Sequence, residues 1–138
     1  MKTIIKCVTK SLPLDTTIRK IIQKVKMNKD VIAVGIFGSY ARGEKYNDID
    51  ICIFLKIQKY EQLQLSRLRL SFMHSSEKYD VQVFQQLPMY IKKRILKEAK
   101  IIYCKDEDAL YDLYFLTLKQ FNDYKYHYEQ YLESVLND

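Results

Sequence analysis

Two aspartates separated by one residue are the side chains of this sequence that most directly suggest chemistry. On a β-strand, Asp48 and Asp50 point to the same face, with Cα atoms about 6.6 Å apart. Carboxylates at that distance can together bind a hard, oxygen-preferring cation such as Mg²⁺. Without a cation or a basic residue between them, the two charges repel each other. The spacing therefore predicts a metal site.

A glycine and a serine precede this pair by a short loop. Gly38 allows the backbone to turn sharply and to approach a ligand closely. Ser39 offers a hydroxyl and a free amide near a predicted helix N-terminus, where phosphate is favoured. Alone, a Gly-Ser pair is often only a turn, and a lone DxD is more often explained by a turn or an edge strand. In this order the two signals reinforce each other and predict a phosphate site beside a metal site.

The hydrophobic pattern predicts an α/β (α+β) fold with a small mixed sheet and flanking helices. A β-branched run over 31–37 indicates a strand buried on both faces, which ends at Gly38. Alternation over 49–55 predicts a second strand, with Asp48 and Asp50 on the face opposite Ile49. The remaining predicted elements are strands over 79–84 and 101–104, and helices after Asp15 or Thr16, over 59–73, from Pro88, and after Asp106.

The predicted C-terminal helix carries apolar and aromatic residues at alternating spacings of four and three. They are Leu110, Tyr114, Thr117, Phe121, Tyr124, Tyr128, Tyr131 and Val135. A helix of about 30 residues is about 45 Å long, longer than a domain of this size is wide. We therefore expect its first half to pack on the domain and its tyrosine-rich end, beyond Phe121, to offer a surface to a second chain.

Length and composition limit the function classes. The 138 residues predict one domain, with a core over about 14–104, a helical tail over about 106–137 and little room for a separate substrate domain. No apolar run reaches the roughly 20 residues of a membrane-spanning helix, and no signal peptide is evident, so a cytoplasmic protein is expected.

Three cysteines that lie far apart in the sequence argue against a zinc site and against disulfide bonds. The net charge of +6 favours polyanions, although scattered basic residues also suit a solvated surface.

The segment from Gly38 to Asp50 resembles the signature of the polymerase β-like nucleotidyltransferases. It is most similar to the minimal nucleotidyltransferases (MNT), in which GSxARG is followed by DxD. The order of strands and helices through Cys104 is also similar to the core of that family. The resemblance implies that Gly38 and Ser39 bind a nucleoside triphosphate and that Asp48 and Asp50 bind metal.

The resemblance also implies a third carboxylate on a neighbouring strand. Asp80, at the start of the third predicted strand, is the candidate, and it shares a polar face with Gln82. Two Mg²⁺ ions would bind the attacking and leaving oxygens, and Asp80 would help to deprotonate the acceptor hydroxyl. A nucleoside monophosphate, AMP where ATP is the donor, is transferred and pyrophosphate leaves. Arg42 matches the arginine of the motif and joins Gly38 and Ser39 as a nucleotide-binding candidate.

The family resemblance further implies a partner. Stand-alone proteins of the MNT type are often antitoxins that pair with a HEPN-domain toxin (HepT) and attach AMP to a toxin tyrosine, which suits a chain without a substrate domain. A homo-oligomer and direct nucleic-acid binding are left open. The sequence departs from the family in its loop, because eight residues, Tyr40 to Asn47, separate Ser39 from Asp48, fewer than is usual, and Asn47 replaces a common serine.

Three other functions are weighed against this one. The chain could be a catalytically inert antitoxin that neutralises its partner by contact through the C-terminal helix. It could be a small basic nucleic-acid-binding module, whose affinity would fall steeply with salt and ignore ATP. It could also modify small molecules such as aminoglycosides, but the short chain leaves little to build a pocket.

Overall fold

The computed structural model describes residues 6–7, 16–45, 47–73 and 78–137 of the chain. In chain order the elements are β1 (Lys6–Cys7), α1 (Thr16–Met27), β2 (Val31–Phe37), α2 (Gly38–Ala41), β3 (Ile49–Leu55), α3 (Gln62–Phe72), β4 (Tyr79–Val83), a 3₁₀ turn (Phe84–Gln86), α4 (Met89–Glu98), β5 (Lys100–Cys104) and α5 (Glu107–Leu136). The described strands form one mixed sheet in the order β1-β5-β2-β3-β4.

The strand β2 lies at the centre of the sheet and pairs antiparallel with both β3 and β5. The outer pairs, β3 with β4 and β1 with β5, are parallel. Parallel neighbours need a crossover connection, and α3 provides it between β3 and β4. Because β2 has strands on both edges and helices over both faces, six of its seven residues are buried, which explains its continuous apolar sequence.

The hydrophobic core consists of two clusters, one on each face of the sheet. On the first face, α1 and α3 cover the inward side chains of β2, β3 and β4, including Val34, Ile51 and Val81. On the second face, α4 and the beginning of α5 cover Cys52, Phe54 and their neighbours. Aromatic rings pack there in tilted pairs, with Phe54 centred 5.1 Å from Phe84 and 6.1 Å from Tyr114. The two clusters hold β3 and β4 rigidly, which fixes the polar residues at their N-terminal ends.

The long helix α5 begins at a capped N-terminus. The Asp106 side chain accepts a hydrogen bond from the Ala109 amide at 3.1 Å, and two acidic residues occupy the first turn. Its 30 residues correspond to about 45 Å. Leu110, Tyr114 and Thr117 are buried, whereas every residue from 122 to 137 is exposed. The predicted division into a packed half and an exposed half is therefore confirmed.

The predicted order of helices and strands is confirmed, and the differences lie at the ends of elements and in one short additional strand. The third predicted strand ends at Val83 rather than Phe84, since Phe84 begins the 3₁₀ turn. The short strand β1 was not predicted, because two residues cannot show an alternating pattern. Of the two predicted caps for α1, Asp15 lies outside the described residues and Thr16 is the first helical residue. In the described part of the chain, no helix is long and apolar enough to cross a bilayer.

Candidate active site

The turn at Gly38 brings the end of β2 against a carboxylate. Phe37 pairs with Asp50 across the antiparallel ladder, so the next residue lies beside the Asp50 side chain. Gly38 has φ +81°, and a Cβ built on it would overlap Asp50 Oδ2. Only glycine satisfies both the left-handed backbone and this close approach. The predicted phosphate-binding turn and the predicted metal ligand are therefore in direct contact.

Ser39 lies in the single turn of helix α2, where it is half-buried. Beyond this turn, Arg42 N donates to Gly38 O at 3.1 Å and Glu44 N donates to Ser39 O at 2.9 Å. Gly43, with φ +73°, ends the turn in the left-handed conformation that favours glycine. The first backbone amides of a helix have no partner within it, so this turn offers donors to an anionic ligand next to the carboxylates.

The pairing of β3 with β4 brings two of the predicted aspartates together. Asp50 lies directly opposite Asp80 in the parallel register, and adjacent strands are about 4.8 Å apart. Asp48 precedes β3 and is exposed, whereas Asp50 is half-buried. Burial raises the pKa of the Asp50 carboxyl, the charges of Asp80 and Asp48 raise it further, and Arg42 lowers it. Asp80, Asp48 and Arg42 therefore all act electrostatically on Asp50.

Arg42 is held by two glutamates. Its Nε donates to Glu44 Oε2 at 3.0 Å and its Nη1 donates to Glu98 Oε2 at 2.9 Å. These hydrogen bonds, that to Glu44 first, raise the pKa of the guanidinium. Glu98 is the last residue of α4, so the pair joins the loop after α2 to that helix. These contacts hold Arg42 at the edge of the carboxylate site. To bind an anionic ligand, Arg42 would have to break its hydrogen bonds with the two glutamates or use its remaining donors.

The polymerase beta nucleotidyltransferase family matches residues 19–108, more than half of the chain and a span that includes every candidate site residue. The chain belongs to this family of nucleotidyltransferases. The predicted family is thus confirmed, and with it the predicted fold class. Individual roles of Gly38, Ser39, Arg42 and the aspartates remain predictions for this family member.

Similar proteins agree with this assignment. A protein of Methanocaldococcus jannaschii, named as a candidate protein adenylyltransferase, is 37% identical over 76 residues, which are 53% of this chain and 56% of the relative. The chain thus matches little more than half of the relative's length. Two solved structures share the polymerase β fold at low identity. One is a toxin-antitoxin with AMP-PNP (TM-score 0.61, 15% identity, 87% of this chain and 96% of that chain). The other is a tri-AMPylated Shewanella oneidensis HEPN toxin with an MNT antitoxin (TM-score 0.57, 14% identity, 86% and 92%).

The donor set at this family site fits a divalent cation. Three carboxylates supply hard oxygen ligands. Burial first, and then repulsion by Asp80 and Asp48, raises the pKa of Asp50, and that repulsion is of the kind that a cation relieves. In the described ranges, no three His, Cys, Asp or Glu side chains converge into a closed metal cluster. Asp80 is instead engaged by the side chains of Gln82 and Arg69. Binding of metal by Asp48, Asp50 and Asp80 accordingly stays a prediction.

The contacts of three side chains around these residues were not predicted from the sequence: Glu98, Arg69 and Gln82. Glu98 is 56 residues from the arginine it contacts, and Arg69 lies on α3, 11 positions before Asp80. Neither has a local spacing that could reveal the contact, because only the packing of helices on the sheet brings them near. Gln82 shares the strand face of Asp80 and was recognised as such, but its hydrogen bond was not predicted.

Proposed function

We propose that this protein is a Mg²⁺-dependent nucleotidyltransferase that transfers a nucleoside monophosphate, AMP from ATP, to a hydroxyl group. The observation that carries the proposal is the contact between the Gly38 backbone and Asp50, together with the pairing of Asp50 and Asp80. A triphosphate bound at the turn would have its reacting phosphate beside the carboxylates. Family membership supports the reaction class.

In the proposed reaction the amides and hydroxyl of the Gly38–Ser39 turn orient the triphosphate. Asp48, Asp50 and Asp80 would hold divalent cations, whose positive charge would stabilise the transferring phosphoryl group. Asp80 accepts the proton of the acceptor hydroxyl. The acceptor oxygen then forms a bond to the α-phosphorus, the bond from that phosphorus to the bridging oxygen breaks, and pyrophosphate leaves.

The acceptor that we propose is a tyrosine of a HEPN-domain toxin, which would make this chain an antitoxin. Two observations on similar proteins support it: the relative is named for protein adenylylation, and a structure with the same fold is a complex of an AMPylated HEPN toxin with an MNT antitoxin. The chain's own residues support a protein partner as well, because aromatic side chains on α5 remain uncovered.

The surface proposed for this partner is the exposed continuation of the α5 stripe. We call it the tyrosine seam, consisting of Tyr124, Tyr128, Tyr131 and Val135, each more than half exposed. The rings of Tyr124 and Tyr128 stack with centroids 6.3 Å apart. The seam continues the heptad spacing of the buried half, and that spacing is typical of a helix that packs against another helix. We therefore propose that a helix of the toxin packs there.

The direct test follows a label from the α-phosphate of ATP. The purified protein and the partner encoded beside it are incubated with Mg²⁺ and the labelled ATP, and label is measured on protein and on RNA. We expect transfer to the partner by the wild type and none by an Asp48→Ala, Asp50→Ala double variant. A double variant in Asp108 and Asp112, which also removes two carboxylates but lies on α5, serves as the matched control.

Binding without catalysis is the second candidate function, and the tyrosine seam favours it because α5 contains none of the candidate catalytic residues. In that case no label is transferred, and the wild type and the double aspartate variant inhibit the partner equally. Label on RNA rather than on protein would replace the proposed acceptor with a nucleic acid.

A further inference from the structure

Asp80 is held by two side chains that donate to or pair with its carboxylate. Gln82 Nε2 donates to both oxygens, at 3.3 Å to Oδ1 and 3.1 Å to Oδ2. Arg69 Nη2 lies 3.6 Å from Oδ1. Gln82 is neutral, so among these contacts Arg69 supplies the positive charge. The carboxylate nearest to Asp50 in the sheet is thus already matched with a cation.

Arg69 has an anchor that does not depend on the carboxylate. Its Nε donates to the Val81 carbonyl at 2.8 Å, and β4 is an edge strand of the described sheet. This hydrogen bond to the backbone is shorter than the 3.6 Å contact between Arg69 and Asp80, and it does not involve the carboxylate. The side chains of Arg69 and Asp80 are 35% and 42% exposed. Water therefore screens the attraction between their charges incompletely.

We propose that Arg69 is the counter-cation of Asp80 in the metal-free site and that a divalent metal must displace it. Asp80 lies opposite Asp50 in the sheet, and the charges of Asp80 and Asp48 both repel the Asp50 carboxylate, which favours any cation that can reach it. The Arg69 guanidinium carries one positive charge and is held on α3. A divalent ion carries two positive charges and would bind within the site itself. Because both need Asp80, Arg69 lowers the affinity for metal alone. This inference rests on the metal site proposed above.

The competition has a functional consequence. A nucleoside triphosphate brings additional oxygen ligands and negative charge, which compensate for the lost contact between Asp80 and Arg69. Metal then binds together with nucleotide in preference to binding alone. Arg69 is in this sense a positioning residue, acting through Asp80 and touching no substrate.

A purely structural role makes a different prediction. If Arg69 served only to fasten α3 to β4, its replacement would lower the melting temperature equally with and without metal. Displacement by metal instead predicts that replacement destabilises the metal-free protein and increases the additional stability gained from Mg²⁺. The difference between the two melting temperatures therefore separates the roles.

The experiment compares Arg69→Gln with Arg69→Lys, which keeps the charge, and with Arg67→Gln, which removes the same charge from an exposed position on α3. Mg²⁺ is titrated calorimetrically without nucleotide, and melting curves are recorded with and without Mg²⁺. We expect Arg69→Gln to lower the Kd for Mg²⁺ about five- to tenfold. Arg69→Lys and Arg67→Gln should stay within about twofold of the wild type, because the charge is retained or distant.

Each outcome decides between the proposals. A Kd for Arg69→Gln equal to or above that of the wild type overturns the role of Arg69, while Mg²⁺ binding by the wild type leaves the proposed function intact. Absence of Mg²⁺ binding in every variant, even with a non-hydrolysable ATP analogue, overturns the metal-dependent function itself. If Arg69→Gln is unfolded without metal, saturating Mg²⁺ should restore its fold, and failure to do so contradicts the proposal.

Discussion

At the scale of single residues, the two left-handed glycines form a matched pair. A Cβ at Gly38 would overlap Asp50, whereas a Cβ at Gly43 would meet nothing within 4 Å. Gly43→Ala should cost about 1 kcal/mol of unfolding free energy, from the backbone conformation alone. Gly38→Ala should cost about 2–3 kcal/mol, because it adds the overlap with the carboxylate. Urea denaturation measures both values.

The same pair tests the site, because only Gly38→Ala displaces Asp50. We expect that variant to lose Mg²⁺ binding and nucleotidyl transfer, while Gly43→Ala retains both after correction for its stability. If the two substitutions lower the unfolding free energy equally, then the Asp50 side chain moves away from the new methyl group freely. That result would contradict the inference that the turn at Gly38 positions the Asp50 carboxylate.

Asp50 illustrates how a functional site opposes folding. Its pKa is raised by burial first and then by the charges of Asp80 and Asp48. Since the folded pKa lies above the unfolded value, ionised Asp50 destabilises the metal-free protein at neutral pH, and this penalty is relieved as pH falls through the folded pKa. Asp50→Asn should therefore raise the metal-free unfolding free energy by about 0.5–1 kcal/mol, a small gain because the group is half-exposed.

Melting curves with and without Mg²⁺ check this expectation. The wild type should gain stability from Mg²⁺, and Asp50→Asn should gain none. Asp112→Asn, on the exposed side of α5, provides the control for loss of one negative charge. If Asp50→Asn melts below the wild type in metal-free buffer, then repulsion among the aspartates is not the dominant effect.

The candidate site residues that could be predicted from the sequence are those that lie close together along the chain. Gly38, Ser39, Asp48 and Asp50 lie within one strand-turn-strand segment, so their spacing already determines their proximity. Asp80 was inferred from the family resemblance, and the strand register places it opposite Asp50. Register between two strands is decided by the packing of both faces, which neither strand encodes alone.

At the scale of elements, both ends of the strands β2 and β3 were predicted correctly. A β-branched run and a strict alternation each indicate a strand and show where it begins and ends. The helix predicted over 59–73 was less regular in pattern and forms a shorter α3 (Gln62–Phe72). Its apolar residues do not follow a helical period well because only Leu65 and Phe72 are buried. The attachment of Arg42 to α4 through Glu98 could not be predicted, because it depends on how that helix packs.

Truncation of side chains should lower the stability of the protein strongly in the first half of α5 and hardly at all in the second half. Leu110 is fully buried, so Leu110→Ala should cost about 2–4 kcal/mol through lost burial and the cavity left behind. Tyr128 is 51% exposed, so Tyr128→Ala should change stability by less than about 0.5 kcal/mol. Chemical denaturation of both variants measures this difference, and a large loss for Tyr128→Ala would mean that the seam already packs within the protein.

At the scale of the whole molecule, charge is distributed unevenly between the body and the end of α5. The chain carries a net charge of +6, yet residues 122–138 contain one lysine and four acidic residues. The tyrosine seam therefore lies on an acidic segment, while the remainder of the chain is strongly basic. Such a segment is a poor surface for nucleic acid, whose phosphates it would repel, and a suitable one for a basic or apolar protein surface.

This separation predicts that partner binding and catalysis can be removed independently. A variant with alanine at Tyr124, Tyr128 and Tyr131 should bind the toxin at least about 100-fold more weakly, since exposed tyrosines at an interface commonly dominate its affinity. Its melting temperature and its affinity for Mg²⁺ with an ATP analogue should match those of the wild type. Tyr90→Ala, at an exposed tyrosine on α4, should bind the toxin normally.

The Asp48→Ala, Asp50→Ala variant should behave in the opposite way, binding the toxin with wild-type affinity but transferring nothing. Binding is measured by calorimetry with the purified toxin, and transfer with ATP labelled at the α-phosphate. If the seam variant binds normally and the aspartate variant does not, then the toxin contacts the carboxylate site directly. The surface that recognises the partner and the surface that modifies it would then be the same, and α5 would have no part in recognition.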